Sequence, residues 1–156
     1  MKNYIVKFLL MAVLVIIGGC LGGGGGSGGG SSDSGSSTTV KVPSSIIGYK
    51  LVETVGTVEV LSGKPNTLSS GDTLEYTFVS NNQILGKGLL TMPTTSWSYE
   101  VPSSNQAKIT LTYSTGQSID TLTFSTDTTG SFTGTHTLIT GSTVKYTGTF
   151  IISTSK

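Results

Sequence analysis

Cysteine and histidine are almost missing from this chain of 156 residues, which has one of each, Cys20 and His136. A lone cysteine excludes an intrachain disulfide and a cysteine-based redox pair. A metal site would require further histidine or cysteine ligands or clustered carboxylates, and no pair of acidic residues lies near His136 in the sequence. We therefore expect no metal, no cofactor and no catalytic role for His136.

Arginine is absent altogether, so all nine basic residues are lysines, and they stand against eight acidic residues. Without guanidinium groups the chain cannot clamp phosphates or carboxylates in the bidentate manner of arginine. The lysines also form no basic patch in the sequence, which is the electrostatic footprint of a nucleic-acid-binding domain. The sequence thus predicts a protein with no nucleic-acid partner.

The common motifs of hydrolytic enzymes are missing as well. No Gly-x-Ser-x-Gly elbow occurs in residues 40–156, and the glycine-rich stretch before them is not followed by the Gly-Lys-Ser/Thr of a phosphate-binding loop. Four carboxylates, Glu53, Asp72, Asp120 and Asp127, could converge in a glycosidase-like pair, but nothing in their spacing indicates it. We expect that the protein is not an enzyme.

Long hydrophobic runs are missing too. Residues 8–17 are ten consecutive apolar residues, whereas a transmembrane helix needs about 20. Lys2 and Lys7 precede this run, and a short apolar segment behind a positively charged start is typical of a secretory signal peptide. The alternative is an uncleaved N-terminal anchor.

The motif Ile17-Gly18-Gly19-Cys20 closes the apolar run and resembles a bacterial lipobox. The resemblance implies that residues 1–19 are a lipoprotein signal peptide, cleaved between Gly19 and Cys20, and that the Cys20 thiol receives a diacylglyceryl group. Two or three acyl chains would hold the protein stably on a membrane. The next residue is Leu21, not the aspartate of inner-membrane retention, which favours the outer membrane of a bacterial cell envelope.

Glycine and serine dominate residues 22–37. Such a segment behaves as a flexible coil, because it has too little apolar surface to fold. For about 19 residues the root-mean-square end-to-end distance is roughly 25 Å. Residues 20–39 are therefore predicted to be a lipidated cysteine and a tether, which carries a single folded domain in residues 40–156.

Residues 40–156 show the alternation that is typical of β-strands. Ala107 is the only alanine of this part, and apolar and polar residues alternate between Gly, Asn, Asp and Ser turns. About eight strands with short connections predict one all-β domain with antiparallel pairing. We expect an eight-stranded up-and-down barrel, since closure removes exposed strand edges. A two-sheet sandwich is the alternative.

The strand pattern also places individual residues. Residues 48–55 form the predicted first strand, with residues 58–61 as its continuation or its partner. Residues 84–92 form a later strand, and Val101 shares the apolar face of the strand that follows. Asp120 shares the apolar phase of its own strand, and we therefore place it at a strand end or at the rim.

Aromatic residues are concentrated on the predicted inner phase. They either fill a core or line an amphipathic pocket, because buried tyrosine hydroxyls and an indole N–H need hydrogen-bond partners. An eight-stranded barrel is wide enough for either arrangement. These residues are Tyr76, Phe78, Trp97, Tyr99, Tyr113, Phe124, Phe132, Tyr146 and Phe150.

The stretch from Trp97-Ser98-Tyr99 through Gly130-Ser131-Phe132, with Gly148-Thr149-Phe150 as a closing strand, resembles the small calycin-like β-domains of bacterial envelope proteins. A lipocalin carries Gly-x-Trp on its first strand, where this chain has Gly48-Tyr49-Lys50. The resemblance implies a barrel that binds a small apolar or amphipathic ligand or serves as a structural module. The alternative is a module that binds proteins or polymers of the envelope and has no ligand cavity.

Overall fold

The computed structural model describes residues 39–64, 68–87 and 94–155, except for the side chain of Lys87. Gly19, Cys20, the predicted signal peptide and the tether up to residue 38 lie outside the described residues. The described part is all-β, as predicted, and includes no helix that is long and apolar enough to cross a membrane. The strands are β1 (Tyr49–Ser62), β2 (Thr73–Ser80), β3 (Gln83–Lys87), β4 (Thr94–Ser103), β5 (Gln106–Tyr113), β6 (Gly116–Phe124), β7 (Thr129–Leu138) and β8 (Thr143–Thr154).

The eight strands form one antiparallel sheet in the order β3-β2-β1-β8-β7-β6-β5-β4. Each hydrogen-bonded pair joins strands that are consecutive in the chain, except that β1 also pairs with β8. This last pairing curls the sheet into a nearly closed barrel, with β3 and β4 at its two edges. The predicted barrel is confirmed, and the single sheet excludes the sandwich alternative.

β1 is the longest strand and joins the first and last parts of the sheet. Its register with β8 shifts between Val55 and Thr57 and again between Val60 and Ser62. Residues 58–61 therefore continue the first strand and are not its partner. Irregularities of this kind bend a strand and increase its local twist, which helps a sheet to close.

One of the two edge strands differs from its prediction. β3 is described as far as Lys87, and the remainder of the predicted strand 84–92 lies outside the described residues. Val101 of β4 is 43% exposed, although it shares the phase of the two partly buried aromatic residues of that strand. An edge strand has a neighbour on one side only, and the register of β4 with β5 shifts close to Val101. The end of β4 therefore departs from the core.

Inward-facing side chains build one hydrophobic core. β5 shows the alternation most clearly, since Ala107, Ile109, Leu111 and Tyr113 are buried and the residues between them are only partly buried. Burial of a large apolar side chain contributes about 1.5–3 kcal/mol. This core lies within Ser37–Lys156, which forms a compact unit of its own.

Two inner positions on β7 and β8 are glycines that lie beneath aromatic rings. Gly134 pairs with Asp120 of β6 and with Tyr146 of β8, and a Cβ atom there would collide with both side chains. Gly148 leaves room in the same way for the ring of Phe132. The rings of Tyr146 and Phe132 consequently lie across neighbouring strands and meet edge to face, with centroids 5.8 Å apart.

The segment before β1 covers one end of the barrel, which is named the capped end. Ile46 is 1% exposed and belongs to the core, although it precedes the first strand. The Tyr99 hydroxyl donates to the Pro43 carbonyl at 2.7 Å, and the Lys41 amide donates to Oδ1 of Asp127 at 2.7 Å. The opposite end carries the β5–β6 and β7–β8 turns.

Candidate functional site

Two carboxyl groups lie inside the barrel. Glu53 of β1 is 0% exposed and Asp120 of β6 is 1% exposed. Glu53 faces inward because it shares the phase of the core residues Leu51 and Val55. The prediction that Asp120 lies at a strand end or rim is wrong. Asp120 lies in the middle of β6, where the pleat directs alternate residues inward whatever their polarity.

A tyrosine from β8 holds the Asp120 carboxyl. The Tyr146 hydroxyl donates to Oδ1 of Asp120 at 2.6 Å, and both groups are buried. This bond crosses β7 above Gly134, which has no side chain to obstruct it. A short hydrogen bond from a hydroxyl to a carboxylate is charge-assisted and is stronger than a neutral one. One of the two Asp120 oxygens is therefore well satisfied.

The other oxygens of the two carboxyls have no such partner. Among the described residues, Oε1 and Oε2 of Glu53 and Oδ2 of Asp120 are buried without a hydrogen bond. The same is true, in this part of the chain, of the hydroxyls of Tyr76 and Tyr113 and of the indole N–H of Trp97. Each buried polar atom without a partner costs about 1–3 kcal/mol, so a group of them requires an explanation.

A serine and the single histidine of the chain complete this polar group. Ser118 Oγ lies 2.7 Å from Nδ1 of His136, and the His136 ring is 6.0 Å from that of Tyr113. The Tyr113 hydroxyl interacts with Ser118 and with Tyr76 as well, without the geometry of a full hydrogen bond. Six of the eight strands contribute to this inner polar cluster, which consists of Glu53, Tyr76, Tyr113, Ser118, Asp120, His136 and Tyr146.

Burial changes the acidity of the inner polar cluster. Desolvation raises the pKa of Asp120 to about 7, although the hydrogen bond from Tyr146 acts in the opposite direction. Desolvation, and then the charge of Asp120, hold the pKa of Glu53 well above its usual range. Burial likewise lowers the pKa of His136. Burial therefore favours the neutral forms of both carboxyl groups and of the His136 ring.

The cluster contains the residue types of a hydrolase triad but lacks its geometry. His136 is bonded to Ser118 through Nδ1, whereas the hydrogen bond of Asp120 is to Tyr146. No carboxylate in the described ranges is hydrogen-bonded to His136, so none orients its ring as a triad aspartate does. Nor do three metal-ligating side chains lie together in those ranges.

The other two carboxylates considered from the sequence lie elsewhere. Oδ2 of Asp72 accepts the Ser69 amide at 2.7 Å in the β1–β2 connection, and Asp127 accepts a backbone amide at the capped end. Of the four, Glu53 and Asp120 are the pair that the fold buries together. Their phase could have identified them, because each alternates in sequence with buried apolar residues.

The aromatic residues predicted to line a core or pocket contribute to the interior of the barrel. Trp97 and Tyr99 are partly buried and pack against the core, to which the others belong. Phe78 and Trp97 meet edge to face with centroids 5.0 Å apart, and Phe124 and Phe150 do so at 4.9 Å. These rings lie towards the capped end. It stays a prediction that these aromatic residues line a ligand pocket.

No protein-family model, curated protein or solved structure matches this chain. What the barrel does is therefore inferred from its fold and from the inner polar cluster.

Proposed function

We propose that the protein is a bacterial lipoprotein whose β-barrel binds a small amphipathic molecule at the inner polar cluster. The observation that supports ligand binding is the set of buried polar atoms without partners in the described residues, above all the two carboxyl oxygens of Glu53. Apolar and aromatic side chains surround these atoms. Small-molecule sites combine such apolar walls with a few convergent polar groups, and an eight-stranded barrel can hold one small ligand.

If the barrel had only a structural role, the buried polar atoms without partners would not stabilise it. Apolar side chains in place of the unpartnered groups would remove a cost of about 1–3 kcal/mol for each atom. Domains are typically stable by only about 5–15 kcal/mol in total, so several such atoms consume a large part of that margin. A bound molecule that supplies the missing hydrogen bonds accounts for their presence.

The ligand would reach the cluster from the end opposite the capped end. Ile46 and the rest of the segment before β1 cover the capped end. Tyr113 is the last residue of β5, next to the turn at the opposite end. His136 is partly exposed and lies close to the end of β7 on the same side. These are the two residues of the cluster that lie nearest to that end of their strands.

Cys20 and the tether would place the barrel at the cell envelope. By the lipobox resemblance, acyl chains on Cys20 hold the protein in the outer membrane, and a coil of about 19 residues reaches roughly 25 Å. The barrel could then take up a ligand close to the membrane surface. A Cys20→Ser variant should lose its acyl chains and appear in the soluble fraction. Acylation that persists in this variant would contradict the lipoprotein proposal.

Native mass spectrometry tests ligand binding directly. Residues 20–156 carrying Cys20→Ser, purified from a bacterial host, should retain a small molecule as a mass increment that collisional activation removes. Glu53→Gln should reduce the retained fraction, because it changes the inner polar cluster. Glu75→Gln on the outer phase of β2 is the matched control and should leave that fraction unchanged. A barrel with no added mass that also fails to bind the amphipathic probe N-phenyl-1-naphthylamine would contradict the proposal.

A further inference from the structure

The inner polar cluster also indicates the chemical class of its ligand. The unpartnered carboxyl atoms in the described part of the chain, Oε1 and Oε2 of Glu53 and Oδ2 of Asp120, are pure hydrogen-bond acceptors when ionised. The Tyr76 hydroxyl, on a side chain 3% exposed, makes no full hydrogen bond among these residues, although it interacts with the Tyr113 hydroxyl. Tyr76 interacts electrostatically with both Glu53 and Asp120, so its hydroxyl lies in the same part of the interior.

No positive side chain of the described residues neutralises this carboxyl pair. The described lysine side chains are exposed or lie on the outer phase of their strands, as Lys50 does beside Glu75 at 2.8 Å. His136 is the basic residue of the cluster, and burial disfavours its charged form. The interior therefore offers acceptors and negative charge without a resident cation.

We infer that the ligand carries a primary ammonium group, which binds between Glu53 and Asp120; this inference rests on the function proposed above. An ammonium has three N–H donors and no acceptor, which suits the unpartnered carboxyl oxygens. Its charge would offset the repulsion between the two carboxylates. The faces of the neighbouring tyrosine rings can stabilise a cation as well. The apolar part of the ligand would pack against the aromatic side chains around the cluster.

Other classes of ligand fit these groups less well. A carboxylate or phosphate would meet two acidic groups and no cationic side chain of the described residues. An alcohol has a single donor and could satisfy one acceptor only. A calcium ion takes about six to eight oxygen ligands, and the described ranges bring no three metal-ligating side chains together.

Three probes of nearly equal shape separate these classes: 2-phenylethylamine, 2-phenylethanol and phenylacetate. Each is titrated calorimetrically at neutral pH into residues 20–156 carrying Cys20→Ser. The amine should bind at least about tenfold more tightly than the alcohol, because hydrogen bonds to charged groups are the stronger kind. Glu53→Gln should abolish this preference and change the affinity for the alcohol by no more than about twofold. Glu75→Gln should preserve the preference.

The number of protons released on binding is a second measurement. If Glu53 had only a structural role, its substitution would not change this number. Burial favours the protonated form of the carboxyls in the free barrel, and a bound ammonium favours their ionised form. Binding of the amine should therefore release protons, and binding of the alcohol none. Calorimetry in two buffers of different ionisation enthalpy measures this proton. The titratable groups that face the site are Glu53 on β1, Tyr76 on β2, Tyr113 on β5, Asp120 on β6, His136 on β7 and Tyr146 on β8.

The outcomes distinguish this inference from the proposed function. Equal affinity for the three probes, tighter binding of phenylacetate, or no binding of the amine would overturn the ammonium inference. Binding of benzyltrimethylammonium as tight as that of the amine would overturn it too, because that cation has no N–H donor. The proposed function itself falls only if N-phenyl-1-naphthylamine and native mass spectrometry also reveal no bound molecule.

Discussion

A rise in pH from about 4 to about 7 should destabilise the barrel through Asp120. Burial raises the pKa of this carboxyl from 3.8 to about 7, so in that interval the folded protein holds a proton that the unfolded chain has released. The free energy of unfolding then decreases as the pH rises. At ~1.4 kcal/mol for each pH unit, protonated Asp120 contributes ~4 kcal/mol to the free energy of unfolding. This contribution is present in full below pH ~4 and is lost as the pH rises through ~7.

Two other groups of the inner polar cluster also make the stability depend on pH. Burial also raises the pKa of Glu53, which adds to the loss of stability with rising pH. His136 has the opposite effect, because its pKa is lowered from 6.5 and its stabilising contribution is lost as the pH falls. The Asp120→Asn variant separates these contributions, since it removes the Asp120 carboxyl and keeps an oxygen acceptor for the Tyr146 hydroxyl.

Urea unfolding at a series of pH values measures the effect, with the fluorescence of Trp97, the single tryptophan, as the signal. Residues 20–156 carrying Cys20→Ser should lose stability between mildly acidic and neutral pH, and Asp120→Asn should make this loss clearly shallower. Glu100→Gln, at a side chain that is 61% exposed, is the control and should follow the parent protein. If the curves of Asp120→Asn and the parent ran parallel, the proposed protonation of Asp120 in the folded barrel would be refuted.

Two further substitutions test the packing of the barrel, with thermal and urea unfolding as the measurements. Gly134→Ala should destabilise the protein by at least about 1–3 kcal/mol, because its Cβ would collide with the Tyr146 ring. Gly56→Ala is the control, because its Cβ would have its nearest neighbour at 3.4 Å. Equal effects of the two substitutions would show that the Tyr146 side chain does not pack tightly against Gly134. Ile46→Ala should cost about 2–5 kcal/mol if this side chain closes the capped end. Ile47→Ala, 37% exposed, should cost much less, and a larger loss there would contradict the assignment.

Much of the fold was predictable because the direction of a side chain in a strand is a local property. The alternation from Ala107 to Tyr113 follows directly from the pleat, and the structure buries the residues on that phase. Strand limits were less predictable. Residues 58–61 continue β1 because they pair with β8, a contact between distant parts of the chain that no local pattern encodes.

The position of Asp120 could not be predicted from the sequence, for a physical reason. Its phase indicates the interior, whereas the cost of burying a charge favours the rim. In the folded barrel this cost is reduced by the Tyr146 hydroxyl, by the space above Gly134 and by a raised pKa that favours the neutral acid. All three depend on β6, β7 and β8 lying side by side.

Residue type and period-two spacing were sufficient to predict the all-β class, the antiparallel order of the strands and the inward phase of the aromatic residues. By resemblance the sequence also predicts lipidation at Cys20. Which of the inward residues meet depends on how the strands pair in the folded barrel. The pairing of β1 with β8 curls the sheet into the nearly closed barrel and encloses Glu53 and Asp120 in one interior. Their altered acidity and their unsatisfied oxygens arise from that enclosure.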